Sequence, residues 1–183
     1  MKAVIVYESM FGNTRKVAEA VAVGLEDSGS VTVIPVGSAD YELIADADLV
    51  VVGGPTHVHG MSRPTTRTEA ERMATEPEST LTLEPNSTAV GVREWIEAAG
   101  PLPRLYAAFD TRADAFKWLT GSAARDISRK MRGGKRREVV PAATFLAPDN
   151  DTDLSEIDRA REWGRAVGHA TLEVLGFPAS LRG

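Results

Sequence analysis

The chain has no cysteine. That excludes disulfides, cysteine-held iron–sulfur or haem groups and thiol nucleophiles, and it suits a reducing compartment. No apolar run approaches the length of a membrane span. Met1-Lys2 leads straight into an apolar run with no signal-peptide core, so the expected location is the cytoplasm. Positive charge is not in excess: 21 Lys and Arg stand against 26 Asp and Glu, a net charge of -5, which argues against general nucleic-acid affinity. The sequence carries neither three spaced glycines of the dinucleotide type nor a Gly-Lys-Ser/Thr P-loop. It also has no Gly-x-Ser-x-Gly elbow to present a serine nucleophile.

What is present starts at the amino terminus. Val4-Ile5-Val6-Tyr7 gives way to Glu8-Ser9-Met10-Phe11-Gly12-Asn13-Thr14, after which Val17, Ala18, Val21, Ala22 and Leu25 recur at helical spacing. This pattern is a strand, a tight turn and a helix amino terminus. The first N–H groups of a helix have no internal partners, and the macrodipole adds partial positive charge there. Ser9 and Thr14 bring hydroxyls, and Gly12 lets a ligand approach the backbone. The stretch is built for an anion, with phosphate the natural choice. An ordinary helix cap, with Ser9 or Asn13 satisfying the free amides, is the competing reading.

The rest of the chain alternates strands and helices. Val31 to Val36 is a strand placed at an edge by Pro35, and Leu49 to Gly53 is a continuous apolar run of the central parallel type. Gly53-Gly54-Pro55-Thr56-His57-Val58-His59-Gly60-Met61 follows as a turn with special backbone demands. The stretch from 63 to 87 is polar and rich in Thr, Glu and Pro; it reads as a surface excursion, helical around Thr68 to Thr75. Ser87 to Ala99 reads as a helix, and Leu105 to Phe109 as the fourth strand, followed by a polar loop Asp110-Thr111-Arg112. A helix over Ala123 to Met131 follows Thr120-Gly121-Ser122 and stops at Gly133-Gly134. The fifth strand spans Val139 to Leu146, with Pro141 making its start irregular. The last helix begins at Ser155 as its cap and closes at Gly176 and Pro178. With 183 residues, 43% of them hydrophobic, the expectation is one domain over 1–183 with an α/β doubly wound sheet. In such folds the ligand lies outside the carboxyl ends of the strands, where the loops after strands one, three and four converge.

Ser9-Met10-Phe11-Gly12-Asn13-Thr14 resembles the Ser/Thr-x-x-Gly-x-Thr phosphate loop of the flavodoxin-like family. Gly53-Gly54-Pro55-Thr56 with His57 to Met61 resembles that family's first flavin-ring loop, and Ala108 to Arg112 the second. The resemblance implies a three-layer sandwich, a five-stranded parallel sheet of order 2-1-3-4-5, and FMN as cofactor. Carried onto this sequence, Ser9, Met10, Phe11, Gly12, Asn13 and Thr14 cradle the phosphate. Pro55, Thr56, His57, Val58, His59, Gly60 and Met61 line one side of the isoalloxazine, with Phe109, Asp110, Thr111 and Arg112 on the other. Gly60 is the position whose peptide would rearrange toward the reduced flavin's N5, because glycine tolerates both backbone states. The Trp and Tyr that sandwich the ring in many flavodoxins are absent from both loops; Trp118 follows the second and reads as a core residue.

The implied function is electron transfer as a flavodoxin-type carrier with a redox partner. The alternatives are a small FMN-dependent oxidoreductase acting on a quinone or tetrapyrrole precursor, and a flavin-free binding or scaffold module. Whether the chain is an enzyme stays open between these. His57 and His59 could supply protons, since the ordinary imidazole pKa lies near neutrality; two ligands are too few for a metal site. Arg112 beside the ring would favour the anionic reduced flavin. A phosphoacceptor receiver is excluded, because its acidic positions are taken by Glu8-Ser9 and Gly53-Gly54-Pro55. The basic stretch from Arg125 to Arg137 reads as a solvated helix face and turn.

Overall fold

The chain's apolar alternation builds two helical layers around one sheet. In strand β1 (Lys2–Tyr7), Ala3, Ile5 and Tyr7 point to one face and Val4 and Val6 to the other. Strand β3 (Leu49–His57) divides in the same way, Leu49 and Val51 against Val50 and Val52. Helices α1 (Asn13–Leu25) and α6 (Leu154–Val174) cover the first face. Helices α2 (Tyr41–Ala45), α4 (Val92–Ala98) and α5 (Ala123–Met131) cover the second, through Ile44, Trp95, Ile127 and Met131. A strand covered on both sides must be apolar throughout, which is why β3 begins with four fully buried residues. This computed structural model describes residues 1–57, 60–113, 121–133, 135–148 and 151–177.

The sheet is parallel and ordered β2-β1-β3-β5-β6, where β2 is Ser30–Pro35, β5 is Leu105–Arg112 and β6 is Arg137–Glu138. Strand β7 (Ala143–Leu146) pairs with β5 beyond β6. The expected order of five parallel strands is thus present, with the fifth split in two. Pro141 falls in the gap between the pieces, where it needs to donate nothing to the ladder. A two-residue strand, β4 (Gly60–Met61), adds an antiparallel step to the end of β3.

Several boundaries move from their expected places. Strand β3 continues to His57 and β5 to Arg112, because Pro55 aligns with Thr111 and Arg112 aligns with Leu146. The excursion after residue 63 opens with an eleven-residue helix, α3 (Pro64–Ala74), that starts on proline, whose missing N–H costs nothing at that position. Helix α4 starts at Val92 rather than Ser87, since Gly91 is extended and its N–H is held by Glu94 Oε2. Asp153, not Ser155, caps α6 by accepting from the Glu156 N–H. Gly176, with φ of 80°, follows α6, whereas Thr120, Gly134 and Pro178 lie outside the described residues.

Helix α1 is held close to α6. A Cβ at Gly24 would stand 2.1 Å from the Arg161 carbonyl oxygen, and one at Gly164 would stand 2.4 Å from that of Val21. Two glycines facing each other's backbones let the helices approach more closely than side chains permit. This contact lies in the last two turns of α1; its amino end opens at the other end of the helix, beside the sheet. There the carboxyl ends of β1, β3 and β5 align at Tyr7, Gly53 and Phe109.

Candidate functional site

The turn between β1 and α1 has the geometry of an anion cradle. Gly12 sits in the left-handed region at φ of 91°, and its N–H donates to Ser9 Oγ at 3.0 Å. Among the described residues no side chain caps α1, and no acidic residue occupies its first turn, so its positive end is not neutralised from within the helix. Thr14 Oγ1 is 2.7 Å from Thr111 Oγ1, which ties the cradle to the end of β5, and Thr152 Oγ1 donates to Asn13 Oδ1 at 3.2 Å. The excursion reaches this turn as well. The Glu84 N–H donates to the Met10 carbonyl at 2.9 Å, and Arg15 Nε donates to the Glu84 carboxylate.

In front of the turn lies a cleft of about 550 Å³, counting its open mouth. Ser9, Met10, Phe11, Asn13 and Thr14 form one wall, and Pro55, Thr56 and His57 another. Thr111, Arg112, Ala113 and Ala147 complete it. Two polar atoms of this lining, His57 Nε2 and Arg112 Nε, are buried with no hydrogen-bond partner among the described residues. Buried polar atoms are nearly always bonded, so two orphans facing one cleft fit a ligand that supplies their partners.

Burial, reinforced by the Arg67 charge, holds the His57 imidazole below its ordinary pKa. His57 is therefore neutral near pH 7, and the unfolded chain takes up its proton before the folded chain does. Stability carried by the neutral ring is present above about pH 6.5 and lost as pH falls through the depressed value. His57→Gln should accordingly flatten the acid side of the stability curve, measured as urea midpoints between about pH 7.5 and 5.5. Parallel curves for the two proteins would contradict this.

A sequence profile of the flavodoxin family matches residues 5–102. The chain belongs to the flavodoxin family. Among solved structures, a flavodoxin from the domain Archaea is 21% identical, with a TM-score of 0.63 over 93% of this chain and 99% of that one. The rubredoxin oxygen:oxidoreductase of Desulfovibrio gigas is 18% identical with a TM-score of 0.64; the match spans 96% of this chain but 37% of that larger one. The two-electron-reduced flavodoxin of Megasphaera elsdenii is 14% identical, with a TM-score of 0.57 over 91% and 98% of the two chains. These likenesses concern the fold. A search of curated proteins by sequence finds no match.

Set against the flavodoxin resemblance, the expected site residues divide into four groups. Ser9, Met10, Phe11, Asn13, Thr14, Pro55, Thr56, His57, Thr111 and Arg112 meet at the cleft, with Gly12 shaping the turn behind it. Gly60 and Met61 line a second cleft on the far side of His57. Phe109 and Asp110, expected beside the ring, have side chains that turn away from the cleft. Phe109 is fully buried, edge-on to Phe145 and Trp163 at 6.2 and 6.1 Å, and its ring fills the space above Gly53. Asp110 faces α5: its Oδ2 accepts from Thr56 Oγ1, Ser122 Oγ and the Ala124 N–H at 2.9, 2.7 and 2.9 Å. Strand alternation sends Phe109 into the core under α1 and α6 and Asp110 toward α5, on opposite faces of the sheet. Val58, His59 and Trp118 lie outside the described residues. Among the described residues, no Trp or Tyr lines the cleft, and no group of three His, Asp or Glu side chains could hold a metal ion.

The resemblance did not point to the buried charges beneath the site. Arg67 of α3 is 2% exposed; its Nη1 donates to Ser62 Oγ at 3.0 Å and Glu94 Oε2 at 3.1 Å, and its Nε to the Thr88 carbonyl at 3.3 Å. Glu8, immediately before this turn, accepts from the Val92 N–H at 2.8 Å, and its other oxygen, Oε1, is buried with no partner among the described residues. Burial pushes the Glu8 carboxyl up, against the opposing pull of Ser62, the Val92 amide and Arg67. A glutamate ending an apolar strand was the one local signal that something inside had to receive it.

Proposed function

We propose that this chain is an FMN-binding redox protein of the flavodoxin type, a single domain that passes electrons to and from a partner. The observation carrying the proposal is the uncapped positive end of α1 opening into the cleft that holds the orphaned His57 Nε2 and Arg112 Nε. The cradle from Ser9 to Thr14 would hold the phosphate by backbone N–H groups and hydroxyls. Pro55 to His57 and Thr111 to Arg112 would flank the ring. Bound FMN supplies the electron-transfer chemistry, and the protein's part is to bind, orient and tune it. Met10, Phe11 and Pro55 offer apolar contact without a Trp or Tyr platform, so phosphate recognition should carry a large share of the affinity.

Calorimetry with FMN and riboflavin tests this directly, alongside the visible spectrum of the protein and the mass of any flavin it releases. FMN should bind at least 100-fold more tightly than riboflavin, about 2.7 kcal/mol, because several charge-assisted bonds go with the phosphate. Equal binding, or none, would refute the proposal.

Arg112 distinguishes this cleft from an acid-rimmed one. A half-exposed guanidinium near the ring favours the anionic reduced flavin by about 1 kcal/mol after solvent screening, which is about 40 mV in a one-electron couple. Arg112→Ala should make the second one-electron step more negative by about that amount in a redox titration. An unchanged potential would remove Arg112 from the ring's surroundings.

A second reading, a small FMN-dependent oxidoreductase, draws support from the cleft beyond His57. A carrier needs only an exposed ring edge, whereas an enzyme needs room for substrate beside the ring. Multiple turnovers of a small acceptor with a direct hydride donor would favour the enzyme; reduction only through a partner protein would favour the carrier.

A further inference from the structure

The second cleft encloses about 620 Å³, counting its mouth, and shares one residue, His57, with the first. Besides His57 of β3, its walls come from four further elements: Gly60 and Met61 of β4, Thr65 and Thr66 in the first turn of α3 with Arg63 just before it, Arg93 of α4, and Asp126 of α5. The charges here are unequal. Arg63 forms no ion pair among the described residues. Arg93 Nε donates to the Ser62 carbonyl at 3.1 Å and Nη2 to the Met61 carbonyl at 3.2 Å, so its guanidinium is fixed by two carbonyls; among the described residues it forms no ion pair, although its charge reaches Glu97. Glu97, one turn further along α4, is held by Lys130 at 2.6 Å.

The single carboxylate in the lining is already committed. Asp126 Oδ1 pairs with Arg129 at 2.6 Å, and its Oδ2 packs so tightly on Gly60 that a Cβ there would stand 2.1 Å away. The neighbouring arginines show the contrast. Arg67 is paired with Glu94, and Arg72 with Glu69 and Glu76. Two guanidiniums that form no ion pair among the described residues, one of them locked in place, therefore line a recess together with Met61 and Thr65. A planar carboxylate matches the donor fork of a guanidinium, and the apolar surface suits the remainder of a small molecule.

We infer that this second cleft binds a small organic acid, its carboxylate held by Arg63 and Arg93 and its body directed along Met61 toward His57. Seen with the flavin reading, on which this part rests, the site specifies an acceptor or donor that carries a carboxylate. His57 then lines both clefts. The anion site itself requires no flavin, so the two ideas can fail independently.

The test is amide NMR of the full chain, titrated with sodium benzoate, benzyl alcohol and inorganic phosphate, each without FMN and again at saturating FMN. Benzoate should shift the amides of Gly60, Met61, Thr65 and Thr66 with a dissociation constant in the millimolar range. Benzyl alcohol should bind about tenfold or more weakly, and Arg63→Gln should weaken benzoate by a similar factor. Arg63 is exposed, so this variant keeps the fold, and Arg93→Gln supplies a second reading of the same site. The inference is overturned if those amides do not move, if benzyl alcohol moves them equally, or if phosphate moves them as strongly as benzoate. It also fails if the shifts centre on Ser9 to Thr14 and vanish with FMN, since the anion would then be seated in the first cleft. Benzoate binding in a protein that rejects FMN would keep the anion site and discard the flavin reading.

Discussion

Replacing Arg67 by methionine should lower the folding free energy by about 3–5 kcal/mol, the cost of stripping a buried ion pair of one partner. Methionine is close in length and retains the stem's packing, so the loss comes from the charge and its hydrogen bonds. Glu8 would then be buried beside Ser62 without the Arg67 charge, the partly exposed Glu94 would lose its ion pair, and the Thr88 carbonyl would lose its donor. For a chain of this size the melting temperature should fall on the order of 10 °C. The pH dependence gives a second signature. Burial already raises the Glu8 carboxyl above its unfolded value, so the native state holds that proton longer than the unfolded chain does. Removing Arg67 raises it further. The variant's deficit should therefore widen as pH rises from about 5 to 8, because stability falls wherever the folded state binds more protons. Adding Glu8→Gln should recover part of the loss, making the double variant less damaged than the two single effects summed. A deficit below about 1 kcal/mol at pH 7, or one that does not grow with pH, would mean that water reaches these groups.

This cluster also shows where reading the sequence stops. Strands β1 and β3 and helix α1 were legible because their signals are local: apolar runs, helical spacing and a break at Glu8 to Thr14. The cradle was legible for the same reason, since one short segment holds all its parts. The ends of β3 and β5 were not. Asp110-Thr111-Arg112 has loop composition, yet it is strand because Gly54 and Pro55 lie on one side and Thr144 to Leu146 on the other. That decision is made by neighbours far along the chain. It also sends Asp110 to the amino end of α5, where three donors await it, and leaves Arg112 in the cleft. Arg67 and Glu94 are 27 residues apart, in a stretch whose polar composition resembles an unstructured excursion. Charged residues signal surface unless their partners are known, and the partners become apparent only once Gly91 is seen packed against Arg67, Ser62 and Glu8. The docking of Glu84 on Met10 and Arg15 was hidden in the same way.

Ser9→Asp should pull stability and ligand affinity in opposite directions. Ser9 is buried beside the uncapped end of α1, with its Oγ within 3.0 Å of the Gly12 N–H. A carboxylate there meets partial positive charge and unsatisfied donors, so the flavin-free protein should gain about 0.5–1 kcal/mol. The same carboxylate would occupy the place proposed for the FMN phosphate. Two negative groups about 4 Å apart repel by about 4 kcal/mol at an effective dielectric near 20, and the donors they would share are already taken. FMN affinity should drop at least 100-fold, about 2.7 kcal/mol, while riboflavin, which lacks the phosphate, should be nearly unaffected. Urea unfolding and calorimetry on the same preparations give both numbers. The ordinary-cap reading of the turn makes a different forecast: the stability gain remains, but FMN and riboflavin respond alike. Because Ser9→Asp strengthens the helix under either reading, a loss confined to the phosphorylated flavin could not be ascribed to misfolding. It would identify the amino end of α1 as the phosphate site by its charge preference alone.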